Sequence, residues 1–235
     1  MVNSRTTSAA AAETNAQQQA YDYIKEEILT LRLAPHVRLN AIELSSRLDL
    51  SRTPVREALT RLEQEGLADR EAGGGGFRVH ALTLKEIVDT YRVREALEVE
   101  AAMEALPHLT DEMLDQLAKI LRSSEPLMTP TTYTKFVSVS RRFHAAIVAA
   151  AGNQMLEQLM APIADRVRLI GAMLIRGRSP RQREVLEENL AILAALRTRD
   201  PRKIEEAVRA HVRLAREHAR DLLTSDHGQL HIAPR

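Results

Sequence analysis

The sequence predicts a mostly α-helical protein with two domains. Of its 235 residues, 44% are hydrophobic and only 3% are aromatic, so the core must consist of Leu, Ile, Val, Ala and Met. Apolar residues recur at helical spacing from Leu84 to Leu223, whereas two short strands are indicated only around the glycine-rich run 66–80. A chain of this length fits two domains better than one.

Composition limits the functional classes. The chain has no cysteine, which excludes disulfides and thiolate chemistry. It contains no apolar run long enough to cross a bilayer and no secretory signal, so a cytoplasmic location is expected. The formal net charge is +1, so binding to nucleic acid would need a local basic patch.

Four segments are predicted along the chain. Residues 1–17 are mainly Ser, Thr, Ala, Asn and Gln without periodicity, and we expect them to be disordered. Residues 18–80 form the first domain, whose first helix runs from about Gln18 to Leu31. Residues 81–225 form an all-helical domain, and residues 226–235 form a frayed tail.

The stretch Ser51–Glu63 predicts a helix with two different faces. Arg52 and Arg56 lie one turn apart on the outer face, beside Thr53, and Ser51 or Thr53 can cap the helix. Guanidinium groups near a helix N-terminus suit phosphates and guanine edges in a major groove. The inner face is apolar, with Val55, Ala58, Leu59 and Leu62.

An ordinary surface helix, with its arginines paired to Glu57 or Glu63, is the alternative. The flanking sequence favours DNA binding, because a short helix is indicated over residues 42–48 and two strands over residues 66–80. A helix, a turn, a second helix and a β-hairpin are the order of a winged helix-turn-helix.

The run Leu31–Val79 resembles the GntR family of bacterial transcription regulators. The match centres on Leu50–Leu59 and continues in Leu62–Leu67. One departure is Pro35-His36, where the family usually has Pro-Gly, and this affects the local turn. We predict DNA contacts from the second helix of the motif and from the wing, by Ser51, Arg52, Thr53, Arg56, Gly75 and Arg78.

From residue 84 onward the pattern predicts six helices joined by short loops, which favours antiparallel neighbours. Thr83 and Glu86 have the spacing of a capping box at the start of the first of these helices. The predicted helices are Leu84–Leu106, Asp111–Leu127, Tyr133–Ala151, Gln154–Ile175, Arg181–Arg199 and Pro201–Leu223. A loose basic run around Gly177 is interpreted as a solvated face and loop, and an extra contact with the DNA backbone or within a dimer is the alternative. Its members are Arg166, Arg168, Arg176, Arg178 and Arg181.

This helical region is similar to the FadR-type C-terminal effector domain, the FCD domain. The similarity includes Phe143–Ile147, Gly152-Asn153, Ile192–Asp200 and Ala207–Val212. The resemblance implies a domain that senses a small molecule and dimerises.

The same resemblance implies a divalent metal held by an aspartate and three histidines. His144 and His211 occupy two of the family positions, but Ser140 and Asn189 replace the aspartate and the second histidine. Because both replacements are weak neutral ligands, we predict no firmly bound cofactor and at most weak metal binding. Alternatively, these polar residues line a pocket and hydrogen-bond a ligand.

Arg94 lies on an apolar stripe with Ile87, Tyr91 and Leu97. A buried arginine needs a partner, which is either Glu98 at i+4 or the acid group of a ligand. The family resemblance favours the ligand. The predicted effector site is Arg94, Ser140, His144, Asn189 and His211.

Together, these features predict a non-enzymatic, ligand-responsive transcription regulator. It would bind a pseudo-palindromic operator in double-stranded DNA as a homodimer and sense a small carboxylate-type metabolite. The alternatives are a metal-dependent enzyme on the helical domain and a DNA-binding protein whose helical domain only dimerises.

Overall fold

The protein is mostly α-helical with one small sheet, as predicted. In the computed structural model the chain divides into two compact units, Met1–Leu82 and Thr83–Arg235. Each unit has a core of its own, built largely from aliphatic side chains. The described residues are 3–73, 75–129, 132–176 and 181–224.

The N-terminal unit is a winged helix-turn-helix, which confirms the predicted fold. Helix α1 packs on α3, α2 precedes α3 across a short turn, and the three strands form an antiparallel sheet in the order β1-β3-β2. The elements are α1 (Asn3–Leu29), β1 (Arg38–Leu39), α2 (Ala41–Leu48), α3 (Arg52–Gln64), β2 (Ala68–Arg70) and β3 (Phe77–Val79).

Helix α1 begins at Asn3, so the prediction of a disordered segment through residue 17 is wrong for the described residues. The run Ala9–Ala12 and the glutamines of residues 17–19 have high helix propensity, which favours the extension of the helix toward its N-terminus. Periodicity missed this extension because a helix with no apolar stripe gives no periodic signal.

The two-residue strand β1 was not predicted, because two residues are too few to show alternation. It pairs with β3, where Leu39 lies opposite Phe77. His36, just before β1, has φ 68°, the left-handed conformation that glycine adopts most readily. His36 therefore forms the turn at the position where the family usually has glycine, and its backbone is strained there.

In the described residues, the C-terminal unit is a bundle of six α-helices, in which α4 contacts α6, α7 and α9. The capping box is present: the Thr83 hydroxyl accepts a hydrogen bond from the Glu86 amide, and the Glu86 carboxylate accepts one from the Thr83 amide. The helices are α4 (Leu84–Ala105), α5 (Asp111–Arg122), α6 (Tyr133–Ala150), α7 (Gln154–Arg176), α8 (Gln182–Thr198) and α9 (Pro201–Thr224).

Helix α5 ends earlier than predicted. A separate 3₁₀ turn spans Glu125–Leu127, and Pro126 cannot donate the hydrogen bond that would continue α5. The predicted stop at Gly177 and the tail 226–235 lie outside the described residues. Within the described ranges, no helix is long and apolar enough to cross a membrane.

Candidate DNA-binding and ligand-binding sites

Helix α3 buries its apolar face and exposes the predicted DNA contacts. Val55, Ala58 and Leu59 are fully buried, whereas Ser51, Arg52, Thr53 and Arg56 are exposed. Ser51 is the N-cap residue, but its side chain makes no capping hydrogen bond. The predicted side-chain cap is therefore absent at Ser51, and its hydroxyl stays available.

Arg52 and Arg56 do not pair with neighbouring glutamates, which was the alternative for this helix. Glu63 is paired instead with Arg70, with Nη2 and Oε2 2.6 Å apart. No ion pair involving Arg52 or Arg56 occurs in the part of the chain that the structure describes. Two exposed guanidinium groups thus lie one turn apart near the start of α3, as recognition of phosphate or guanine requires.

Contacts with α1 hold the C-terminal end of α3 in place. The Tyr21 hydroxyl donates to the Glu65 carboxylate at 2.7 Å, and Lys25 pairs with the same carboxylate at 2.9 Å. The Arg61 guanidinium lies 3.6 Å from the centre of the Tyr21 ring. Burial raises the pKa of Glu65, but its hydrogen bonds from Tyr21 and Lys25 lower it overall.

Strands β2 and β3 and the turn between them form the wing. Gly75 is exposed near its tip, and a side chain there would meet no atom within 4 Å. Arg78 lies opposite Asp69 in β2 and Arg38 in β1, and it is partly exposed. The wing thus presents a cation and open space, which suits contact with a DNA backbone.

The C-terminal unit contains a cavity of about 700 Å³. Four of the five predicted effector residues line it: Arg94 from α4, Ser140 and His144 from α6, and His211 from α9. Asn189 from α8 does not line the cavity, but it joins two residues that do. Its amide nitrogen donates to the Ser140 hydroxyl at 3.1 Å, and its amide oxygen lies 3.1 Å from His144 Nε2.

Arg94 is buried and paired with Glu98, which is one of the two partners that the sequence allowed. Arg94 Nε donates to Glu98 Oε1 at 2.6 Å, and the other carboxylate oxygen lies 3.2 Å from His144 Nδ1. Burial alone would raise the pKa of Glu98, but the charges of Arg94 and His144 lower it well below its usual range. The carboxylate therefore stays ionised and neutralises Arg94.

His211 connects Arg94 to a second ion pair. Arg94 Nη2 lies 3.1 Å from His211 Nε2, and His211 Nδ1 lies 2.9 Å from Glu188. Glu188 is also bound by Arg181, at 2.5 Å. The interpretation of Arg181 as part of a solvated face is therefore wrong, because Glu188, seven residues further along the chain, binds its guanidinium group.

Burial fixes the charge state of His211, and its hydrogen bonds fix the tautomer. Burial lowers the pKa of this histidine to about 4, and the nearby Arg94 charge also lowers it. The hydrogen bond to Glu188 raises the pKa but does not outweigh these effects. The ring is therefore neutral at neutral pH, with Nδ1 donating to Glu188 and Nε2 accepting from Arg94. It stacks on His144 with ring centres 4.9 Å apart.

The side chains around this network do not fit a resident divalent metal. Glu98, His144 and His211 each offer one ligand atom, and these atoms lie within 4.8 Å of one another. However, Arg94 already donates to the Glu98 carboxylate and to the His211 nitrogen that would bind the metal. A second cation would have to displace this buried guanidinium, so we derive no role for a metal.

Purified protein is therefore expected to hold little divalent metal after dialysis. Ser140→Asp combined with Asn189→His supplies a charged and an imidazole ligand, and we expect it to raise metal affinity. Elemental analysis of both proteins measures this. A stoichiometric metal that survives dialysis of the unmodified protein would contradict the prediction.

Stability is expected to fall as the pH is lowered from about 6.5 to about 4. In this window the unfolded chain protonates His211, at the ordinary pKa of 6.5, whereas the folded protein keeps it neutral. Protons then favour the unfolded state and lower the free energy of unfolding by about 3 kcal/mol at most.

Urea unfolding across this pH range measures the effect. His211→Gln keeps a donor and an acceptor without a titrating ring, so it should flatten the dependence, while His108→Gln, at an exposed site in the same unit, should not. An unchanged pH slope in His211→Gln would contradict the assignment.

A winged helix-turn-helix with an exposed arginine pair, followed by a helical bundle around a cavity, defines a DNA-binding transcription regulator. The chain belongs to the GntR family and carries an FCD domain. The family profile "Bacterial regulatory proteins, gntR family" matches residues 16–79, and "FCD domain" matches residues 89–214.

Similar proteins are also regulators. The chain is 30% identical, over 88% of its length and 89% of the relative, to a probable D-xylose utilization operon transcriptional repressor of Paenarthrobacter nicotinovorans. It is 26% identical to the transcriptional regulator YdhC of Bacillus subtilis, over 87% and 91% of the two chains. The solved structure of McbR/YncC from E. coli has the same fold, with a TM-score of 0.71, 24% identity and coverage of 85% and 94%. The protein is thus a regulator and not an enzyme.

Proposed function

We propose that this regulator binds a pseudo-palindromic operator as a homodimer and that a small acidic metabolite changes its affinity for the operator. The observation that carries the proposal is the convergence of Arg94, Ser140, His144 and His211, from three helices, on one cavity. A buried polar network beside a cavity is typical of a ligand site. Binding an operator on a bacterial chromosome would place the protein in the cytoplasm.

The DNA-binding half of the proposal assigns different roles to α3 and the wing. Arg52 and Arg56 would contact base edges and Ser51 and Thr53 the phosphates beside them, because all four are exposed at the start of α3. Arg78 and the open backbone at Gly75 would contact phosphates.

A homodimer is proposed because one such helix reads only a few base pairs, whereas two related by a two-fold axis read a palindrome. Met155 and Leu159, one turn apart on α7, are 63% and 50% exposed and offer apolar surface for self-association. Two relatives are named as repressors, and repression is the regulatory direction we propose here.

Selection of random duplex DNA on the purified protein tests the operator and the dimer together. The selected sequences are expected to contain two inverted half-sites whose centres lie about 10 base pairs apart, or a multiple of that, and sedimentation should give a dimer on this DNA. Single unpaired half-sites bound by a monomer would contradict the proposal. A thermal-shift screen of organic acids tests the sensing half, since a ligand stabilises the state it binds.

A further inference from the structure

The cavity is much larger than a small acid such as acetate or lactate needs. At about 30 Å³ per non-hydrogen atom, the volume that liquid water gives each molecule, an acid of six such atoms fills roughly 180 Å³. The cavity has about 700 Å³, in the range of sites that take larger organic ligands. A small acid would leave most of it to water.

The walls away from the polar network are apolar, and they are supplied mainly by α6 and α7. Water against such walls cannot satisfy its hydrogen bonds, whereas an apolar ligand gains free energy by displacing it. The body of the ligand is therefore apolar. The main residues of this apolar wall are Phe136, Val148, Met160, Ile163, Val167 and Leu174.

The polar end offers hydrogen-bond donors. Nε and Nη2 of Arg94 are engaged, but Nη1 has no hydrogen-bond partner in the described part of the chain. Within that part no fully buried side-chain nitrogen lacks a partner, so Nη1 reaches the cavity surface. The Ser140 hydroxyl accepts from Asn189 and keeps its own proton to donate. Both oxygens of Glu98 are already engaged, so a ligand meets donors there and must bring acceptors.

Other cations around the cavity are already paired or exposed to solvent. Arg181 binds Glu188, Arg141 lies 3.9 Å from Asp165, and Arg142 is exposed. A second carboxylate buried among the apolar walls would lose its water without meeting an unpaired buried cation, at a large desolvation cost. The site therefore favours a single acid group.

We propose that the cavity binds an amphipathic monocarboxylate, with its acid group at Arg94 and Ser140 and an apolar body of roughly six to twelve carbons along α6 and α7. This inference rests on the proposed ligand-sensing function and specifies the chemical class of its effector.

Calorimetry on the full-length protein with a matched series of probes tests this class. The probes are acetate, butyrate, hexanoate, octanoate, octan-1-ol and the eight-carbon diacid suberate. From butyrate to octanoate the dissociation constant should fall about fourfold per methylene, the factor that corresponds to burying one CH₂. Octan-1-ol and suberate should each bind at least about tenfold more weakly than octanoate, because one lacks the charge and the other buries a second charge.

A variant pair locates the apolar body. Ile163 lines the cavity, whereas Val93 on α4, also a β-branched aliphatic residue, is 48% exposed and does not line it. Ile163→Asn should weaken octanoate about tenfold and change butyrate little, and Val93→Asn should change neither.

Three results would overturn the inference: affinity that does not change with chain length, suberate binding as tightly as octanoate, or no binding of octanoate at millimolar concentration. Fluorescence anisotropy of labelled operator DNA measures the regulatory role of a ligand, and it therefore tests the proposed function separately from the ligand class. If octanoate binds with the expected series but never changes operator affinity, the ligand class stands and the regulatory role fails. If other acids regulate operator binding and octanoate does not bind, the ligand class fails and the regulatory role stands.

Discussion

Arg94→Ala is expected to destabilise the C-terminal unit by about 3–5 kcal/mol, because it leaves the Glu98 carboxylate buried without its cation. Both side chains are less than 10% exposed, with the Arg94 Nε and Glu98 Oε1 atoms 2.6 Å apart, so solvent cannot take the place of the lost partner. The variant also removes the donor to His211 Nε2. Urea unfolding at pH 7 measures the loss.

Two further variants test whether the loss of stability comes from the buried pair of Arg94 and Glu98. Arg92→Ala removes an exposed arginine from the same helix and should cost less than about 0.5 kcal/mol. Arg94→Met combined with Glu98→Met removes both charges and should cost clearly less than Arg94→Ala alone. If Arg94→Ala is no worse than Arg92→Ala, Arg94 and Glu98 do not form the buried pair described here.

Arg56→Ala is expected to weaken binding to the selected operator by about 1–3 kcal/mol, roughly fivefold to 150-fold, and to relax specificity at one position in each half-site. The reason is that Arg56 is exposed on the outer face of α3, next to Arg52, and makes no ion pair within the described residues. Gel-shift titrations on operator and scrambled duplexes measure both effects.

Arg78→Ala is the matched control for a contact to phosphate. It should weaken binding to operator and scrambled DNA alike and reduce the slope of log affinity against log salt by about one. Both variants should leave the fold intact, since neither side chain is fully buried. Unchanged operator affinity in Arg56→Ala would mean that α3 is not the recognition helix.

Most of the fold could be predicted because its signals are local. The glycine-rich wing, the apolar stripe of α3 and the capping box at Thr83 each occupy a few consecutive residues. The extension of α1 and the strand β1 were missed for a physical reason. Helix propensity without an apolar face, and a strand of two residues, leave no periodic pattern.

The candidate ligand site was predictable only in part. The family resemblance indicated Arg94, His144 and His211, and the structure places all three at one cavity. The His211 partner Glu188 is 23 residues away on another helix, so spacing within one helix does not find this bond. Arg181 binds the same carboxylate from just before α8. The sequence alone left open whether Arg94 pairs with Glu98 or with a ligand. In the structure it pairs with Glu98 and keeps one nitrogen for the cavity.

If occupancy of this cavity controls DNA binding, a variant that fills the cavity should remove the control. Gly171 lines the cavity on α7, and a Cβ added there meets no atom within 4 Å, so Gly171→Phe can fill the cavity without disrupting the helix. Gly171→Ala, which adds a single carbon, is the control.

The decisive measurement is operator affinity, by fluorescence anisotropy, in the presence of organic acids of two to twelve carbons. For the unmodified protein and Gly171→Ala, at least one acid should change operator affinity tenfold or more. Gly171→Phe should bind the operator and give no response to the same acid. An acid response that persists unchanged in Gly171→Phe, or the absence of any response in the unmodified protein, would contradict the account.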